Sequence, residues 1–162
     1  MTAISETFSP ARSKSYMAIV WGGLIAGSLD ITAACVNAAI RGGISPMQVL
    51  RYVASGLLGP SARNGGMGTA LIGLLCHFVI AYGATTVYFL ASRKLRFLIN
   101  YAPICGPLYG IIVYLVMNLV VLPLSRVPPV TYKVSSVVIG LIVHMLCIGL
   151  AIALSVRHWE KA

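Results

Sequence analysis

Acidic side chains are almost absent from this sequence. Only Glu6, Asp30 and Glu160 carry a carboxylate among 162 residues, and charged residues of both signs together make up 9% of the chain. Soluble domains contain about 25% charged residues. Hydrophobic residues reach 59%, which is more apolar surface than one small core can bury. The composition therefore excludes a soluble globular protein and predicts surfaces that face lipid.

Residue patterns that support enzyme chemistry are missing as well. The sequence contains no H-E-x-x-H, no G-x-S-x-G and no phosphate-binding glycine loop. No two of its three acids are placed for general acid–base work across a cleft. The cysteines lie inside apolar runs, where we interpret them as small hydrophobic residues rather than disulfide partners; they are Cys35, Cys76, Cys105 and Cys147. We expect neither an enzyme nor a metal centre.

Four long apolar runs are present instead. They cover residues 17–40, 67–91, 101–122 and 134–156. Each is long enough for a transmembrane helix, which needs about 20 apolar residues. Backbone groups in lipid must be hydrogen-bonded within the chain, and these runs lack the alternation of a barrel strand. The sequence therefore predicts an all-α integral membrane protein, with one membrane domain of four transmembrane helices over residues 17–156.

A fifth, shorter helix is predicted between the first two spans, over residues 46–58. Ser45 can cap its first turn, and Pro46 suits its first position. Apolar residues fall on one face and polar residues on the other: the apolar face holds Met47, Leu50, Ala54, Leu57 and Leu58, and the polar face holds Gln48, Arg51 and Ser55. Because the segment is too short to span, we expect it to lie in the membrane interface, with a re-entrant hairpin as the alternative.

Basic residues indicate the orientation. The net charge is +9, and the Lys and Arg residues lie in the segments that flank the spans. Seven fall on the side of the two termini and five on the other side, with a tight cluster at Arg93, Lys94 and Arg96. The excess predicts that residues 1–16 and 157–162 are cytoplasmic tails. The same basic residues would contact anionic lipid headgroups. The sequence contains no basic stripe with interleaved aromatic residues, the pattern that would indicate binding to nucleic acid.

The two halves of the chain resemble each other. The first and third spans each contain a glycine pair, Gly23/Gly27 and Gly106/Gly110, and the second and fourth spans each contain Gly-x-x-x-His. The pattern predicts a tandem two-helix repeat, unless it reflects the few residue types that apolar spans use. Small residues let helices approach closely in lipid, so the pairs are helix-packing surfaces, within one bundle or between subunits. We expect a homo-oligomer or a subunit of a larger membrane complex.

Asp30 is the only acid within a span. A central Asp costs about 2.5–3.5 kcal/mol on membrane insertion, so it needs a partner or a cavity. His77 and His144 each lie ten residues into a span, and both should reach the depth of Asp30. We predict a buried polar site of these three residues, extended outward by Asn37 and Asn118. The site could share a proton and serve proton or small-solute movement, or it could only fix the helix register.

Two further roles remain open. In an up-down bundle the second and fourth spans are parallel and diagonal, so His77 and His144 could ligate a haem b from opposite faces. Gly73 and Gly140, one turn earlier in each helix, would let the macrocycle approach the backbone. Alternatively, the chain is a structural or accessory subunit of a membrane complex and binds no ligand.

Several short motifs carry a family resemblance. They are Gly-Leu-Ile-Ala-Gly at 23–27, Val-Leu-Pro-Leu at 121–124, the following Pro128-Pro129, and a last span with an internal histidine. In these the chain resembles small, largely uncharacterised bacterial inner-membrane proteins of the YagU-like kind. The resemblance implies a multi-span protein of the bacterial inner membrane. It implies little about chemistry and no functional residue, and the acid pairs and long periplasmic insertions of those proteins are missing here.

Overall fold

The computed structural model describes residues 10–127 and 133–161, with side chains from residue 16 onward. It is 91% helical, and the described ranges contain no strand. Five helices form the fold, numbered in chain order: α1 Pro10–Gly42, α2 Pro46–Leu58, α3 Met67–Lys94, α4 Ala102–Leu124 and α5 Val134–Lys161. A 3₁₀ turn at Pro60–Asn64 and a helical turn at Phe97–Asn100 lie in the connections.

Four of these helices, α1, α3, α4 and α5, are long and apolar enough to cross a membrane. Only 11% to 22% of the residues in the most apolar window of each helix are buried inside the bundle. Apolar side chains in such number need a lipid environment, because a soluble protein does not leave patches of that size in water. The chain is therefore an all-α, multi-pass membrane protein, which confirms the prediction from its four apolar runs.

The long helices alternate in direction, with α1 antiparallel to α3 and α5, and α4 antiparallel to α5. One end of the bundle carries the start of α1, the α3–α4 connection and the end of α5, and is here named the termini end. The opposite end carries α2 and is named the α2 end. Several large buried side chains pack together near the termini end: Tyr88, Phe89, Ile152 and Val156. The half of the bundle at the termini end is therefore tightly packed.

Helix α2 occupies the predicted residues and begins as predicted. The Ser45 hydroxyl accepts a hydrogen bond from the Gln48 backbone, and the Gln48 side chain accepts one from the Ser45 backbone, which closes a capping box. The helix packs on α3 at Gly73, where a methyl group would contact the α2 backbone. Ser55, expected on a polar outer face, is fully buried. Burial is tolerated because its hydroxyl donates to the Tyr52 carbonyl.

The helices extend beyond the apolar runs at several ends. Helix α1 begins at Pro10 and α5 continues to Lys161, so parts of both expected tails are helical. Lys, Arg and Ser are compatible with a helix that leaves the bilayer, and Pro is favoured in a first turn. The remainder of the amino-terminal tail, residues 1–9, and Ala162 lie outside the described residues.

Both glycine pairs are used inside one chain. A methyl group at Gly27 would lie 2.8 Å from the Phe78 ring of α3, and Gly23 faces the Tyr82 ring in the same way. On α4, a methyl group at Gly106 would lie 2.9 Å from an α5 Cα atom, and Gly110 likewise contacts the α5 backbone. These four glycines therefore allow α1 to approach α3 and α4 to approach α5. They are not free to form a contact between subunits, so the expected oligomer has to use another surface.

The hairpins α1/α3 and α4/α5 share one feature of the predicted repeat. In each, the second glycine of the pair lies beside the histidine of the other helix: Gly27 beside His77, and Gly110 beside the His144 backbone. They differ in local geometry, because α4 and α5 contain π-helical segments at Met117–Val121 and His144–Leu150. Such segments are frequent at functional sites, and both of these contribute to the cavity described next.

Candidate functional site

A cavity of about 510 Å³ lies between the helices in the half of the bundle near the α2 end. All five helices contribute to its wall, which is mainly aliphatic. The side chains with polar atoms in that wall are Asp30, Tyr52, Cys76, His77, Ser125 and His144. The three residues expected to form a buried polar site therefore line one common cavity.

Asp30 lies on α1, where this helix is held between α3 and α5. Its side chain is 14% exposed, and its Oδ1 atom is fully buried without a hydrogen-bond partner. The lining of the cavity, taken over the residues that the structure describes, contains no Lys or Arg. A buried carboxylate oxygen without a donor is costly. Asp30 is thus an unsatisfied acceptor beside a cavity large enough for a small ligand.

His144 is the ionisable group nearest to Asp30. Its Nδ1 atom lies 3.9 Å from Asp30 Oδ1 and 3.0 Å from the Gly140 carbonyl oxygen. A carbonyl can only accept, so Nδ1 carries a hydrogen and donates it to Gly140. The distance to Asp30 is too long for a hydrogen bond. Attraction between the two side chains is therefore electrostatic, and it exists only when the imidazole of His144 is positively charged and the carboxyl group of Asp30 is ionised.

The π-helical segment of α5 begins at His144, and an aromatic side chain fixes the imidazole. The Tyr114 ring meets the His144 ring edge-on, with 5.3 Å between centroids. Tyr114 also fills the space in front of Gly140, where a methyl group would lie 2.8 Å from the ring. Gly140 thus leaves room for the Tyr114 ring, and this ring holds the His144 imidazole toward the cavity.

His77 lines the same cavity but is attached to the backbone of a neighbouring helix. Its Nε2 atom lies 2.9 Å from the Gly27 carbonyl oxygen, so Nε2 carries the hydrogen and donates it. The neutral ring then keeps Nδ1 as an acceptor. His77 consequently links α3 to α1, whereas the His144 imidazole is bonded to a carbonyl of its own helix.

The two asparagines expected to extend the site do not reach it. Asn118 donates from its side-chain amide to the Tyr114 carbonyl on its own helix, at 2.8 Å. Neither Asn118 nor Asn37 lines the cavity. A membrane-embedded amide can satisfy itself on its own helix, and sequence depth alone does not show which way the side chain points.

The space expected to receive a haem is filled by other parts of the chain. The α2 backbone at Leu50 and Ala54 covers Gly73, and the Tyr114 ring covers Gly140. His77 Nε2, the usual ligating atom, is bonded to a backbone carbonyl. The residues present therefore do not fit a haem held between the two histidines.

Sequence inspection missed the contribution of α2 to the cavity. Tyr52 and Leu57 line the cavity, and the Gly56 carbonyl accepts a hydrogen bond from the Arg126 backbone at 2.9 Å. The sequence did contain one indication that α2 has a special role: Gly56 disfavours a helical conformation, yet it stands inside this short helix. A methyl group at Gly56 would meet Ser125 at 3.6 Å, which is an ordinary van der Waals distance, so the hydrogen bond to the Arg126 backbone does not depend on glycine.

Comparisons with protein-family models, with curated proteins and with solved structures find no match to this chain. The resemblance to YagU-like proteins therefore stays a prediction. Asp30, His144 and the cavity that they share are the features of the structure that bear on function.

Proposed function

We propose that this protein is a non-enzymatic membrane protein in which Asp30 and His144 form a coupled proton-binding pair that serves proton or small-solute movement. The observation that carries the proposal is the buried Asp30 Oδ1 atom, which lacks a hydrogen-bond partner and lies 3.9 Å from His144 Nδ1 beside the cavity. Ionisable residues inside membrane spans are rare, and they commonly face a cavity and mark ion or substrate pathways.

The pair can change the charge inside the cavity by one unit. With both groups ionised, or both neutral, the pair has no net charge; removing the shared proton leaves one negative charge. In an aliphatic environment such a charge attracts a donor or a cation strongly. Gain or loss of the proton would therefore control whether a solute with a donating group binds. The other ionisable groups in the lining are Tyr52 from α2 and Cys76 and His77 from α3, while α4 contributes none.

The membrane and the orientation belong to the same proposal. The basic residues favour the side of the termini, seven against five, and a resemblance to bacterial inner-membrane proteins agrees with that excess. We place the protein in the bacterial inner membrane with both termini in the cytoplasm. A homo-oligomer, or membership of a larger membrane complex, remains the proposed assembly.

Proton flux across vesicles tests the proposal. Purified protein is reconstituted into liposomes that contain a pH-sensitive dye, and a pH gradient is imposed while valinomycin and potassium hold the potential at zero. The wild-type protein should collapse the gradient faster than empty vesicles do. Asp30→Asn and His144→Gln should return the rate to that of empty vesicles, because each removes one proton-binding group of the pair.

A matched control is His158→Gln. His158 is an exposed histidine at the termini end, outside the cavity, so its variant should keep the wild-type rate. A wild-type rate equal to that of empty vesicles would contradict the proposal and favour the accessory-subunit alternative. In that case a pull-down in mild detergent should recover a stoichiometric partner.

A further inference from the structure

The cavity is closed toward the termini end by paired tyrosines. The Tyr109 hydroxyl donates to the Ala84 carbonyl at 2.7 Å, and the Tyr88 and Tyr109 rings lie 5.0 Å apart in an edge-on arrangement. Tyr88 is 1% exposed, and its hydroxyl donates to the Leu98 carbonyl. Because Ala84 itself lines the cavity, these contacts form the boundary of the cavity on that side.

Toward the other end the cavity is covered by α2. The Arg126 backbone donates to the Gly56 carbonyl, and a methyl group at Gly56 would lie 3.6 Å from Ser125. Gly56 and Ser125 both line the cavity. Helix α2 is thus joined to the chain that leaves α4, and it forms the wall of the cavity at the α2 end.

The exposed part of the lining lies at the side of the bundle. Val79 on α3 and Leu57 on α2 both line the cavity, yet they are 71% and 59% exposed, so they form its rim. Val79 lies close to the middle of α3, which extends over Met67–Lys94. A helix of that length spans the hydrocarbon core, so the rim at Val79 faces lipid chains.

The chemistry of the wall defines what can enter by this route. Aliphatic side chains such as Ile80, Val113 and Ile148 make up most of the lining, and they favour an apolar molecule. The one buried polar atom without a partner is the Asp30 carboxylate oxygen, among the residues that the structure describes within the cavity. A carboxylate accepts hydrogen bonds and attracts positive charge.

We propose that the cavity takes its ligand from the bilayer, through the opening beside Val79, and that this ligand has an apolar body with one cationic or hydrogen-bond-donating end directed at Asp30. This inference rests on the proposed function and deepens it, because it names the class of solute and its route. An anionic amphiphile of equal length has no hydrogen to donate to the buried Asp30 oxygen, and it is repelled when that carboxyl group is ionised.

The native cysteines supply a reporter and an internal control. Cys76 lines the cavity, whereas Cys105 on α4 does not, and both are half-buried free thiols. In a variant with Cys35→Ala and Cys147→Ala, reconstituted in liposomes, labelling is followed at both positions by mass spectrometry. A lipid-soluble maleimide should label Cys76, while an anionic, water-soluble methanethiosulfonate applied to both sides should label it far more slowly than the maleimide does.

Protection of Cys76 then tests the ligand class. n-Decylamine should slow the labelling of Cys76 and leave that of Cys105 unchanged, and decanoate should protect neither. Asp30→Asn should weaken the protection by decylamine about 10- to 100-fold, the range expected when a hydrogen bond to a charged group is lost. If that variant does not fold, Ala34→Phe, which places a ring in the cavity, should slow Cys76 labelling without any added amphiphile.

Opposite results overturn the inference. Rapid labelling of Cys76 by the anionic reagent would show that the cavity opens to water, and equal protection by decylamine and decanoate would show that Asp30 does not select the ligand. Because labelling reports access and binding rather than flux, protection without proton movement contradicts the proposed function alone. Proton movement without protection contradicts this inference alone.

Discussion

His77 donates a hydrogen bond from Nε2 to the Gly27 carbonyl oxygen, 2.9 Å away, and so connects α3 to α1. The contact exists because Gly27 has no side chain: a methyl group there would lie 2.8 Å from the neighbouring Phe78 ring. The same glycine thus permits the close approach of the helices and accepts the bond that holds them. The corresponding glycine of the second hairpin, Gly110, meets the His144 backbone instead, and the His144 imidazole donates to the Gly140 carbonyl of its own helix.

Loss of the His77 donor should weaken the α1–α3 contact by a modest amount. His77→Leu is expected to lower the free energy of unfolding by about 0.6–1.7 kcal/mol, the range measured for hydrogen bonds between membrane helices. Unfolding in increasing SDS, followed by circular dichroism, measures the change. His77→Gln retains a donor and should recover part of the loss. Equal losses in the two variants would show that packing, rather than the hydrogen bond, is what His77 contributes.

Gly110 should be the least replaceable glycine of the two pairs. A methyl group there would lie 2.6 Å from the Met145 Cα atom and closer still to the His144 carbonyl, and backbone atoms cannot turn aside as a side chain can. Gly110→Ala is therefore expected to cost about 1–3 kcal/mol, as overpacking does. The control is Gly83→Ala on α3, where the added methyl group meets open space. Helix propensity predicts a gain of up to about 1 kcal/mol for this control, and a similar loss in both variants would contradict the packing argument.

The helices were predictable because lipid imposes simple rules on sequence. Apolar runs longer than the bilayer give the four spans, and the Ser45-Pro46 pair together with the helical periodicity gives α2. The predicted spans are shorter than the helices at some ends, since hydropathy marks where the bilayer ends and not where hydrogen bonding stops. Residues 128–132 of the last connection lie outside the described residues.

The site was predictable only in part. Depth along each span brings Asp30, His77 and His144 to one level, and they do line one cavity. Sequence depth does not give rotation about the helix axis, so it could not show that Asn37 and Asn118, expected to extend the site outward, are absent from the lining of the cavity. It also does not show that two imidazoles bind different carbonyl groups, or that π-helical segments lie next to the cavity. Those features arise from packing between helices distant in the chain.

Gly59 ends α2 in a conformation that only glycine adopts readily. Gly59 follows the last residue of α2 and has a φ of 86° and a ψ of 178°. Its backbone N–H donates a hydrogen bond to the Ser55 carbonyl. Gly59→Ala should cost about 1–3 kcal/mol of local strain and increase amide hydrogen exchange throughout α2. Gly66→Ala is the control, because Gly66 has a φ of −89° and open space around it. Unchanged exchange in α2 after Gly59→Ala would mean that α2 is held by its contacts with α3 alone.

Asp30 should reduce the stability of the bundle that contains it. Its Oδ1 atom is buried without a donor, and an unsatisfied polar group of this kind costs about 1–3 kcal/mol. Asp30→Leu removes the group and can extend into the adjacent cavity, so we expect its free energy of unfolding at neutral pH to rise by that amount while proton movement is lost. A functional site commonly shows this opposition between stability and activity. If Asp30 instead served to fix the helix register, Asp30→Leu would unfold at lower SDS concentration than the wild-type protein, and Asp30→Asn, which keeps the shape and a hydrogen-bonding group, would lie between the two.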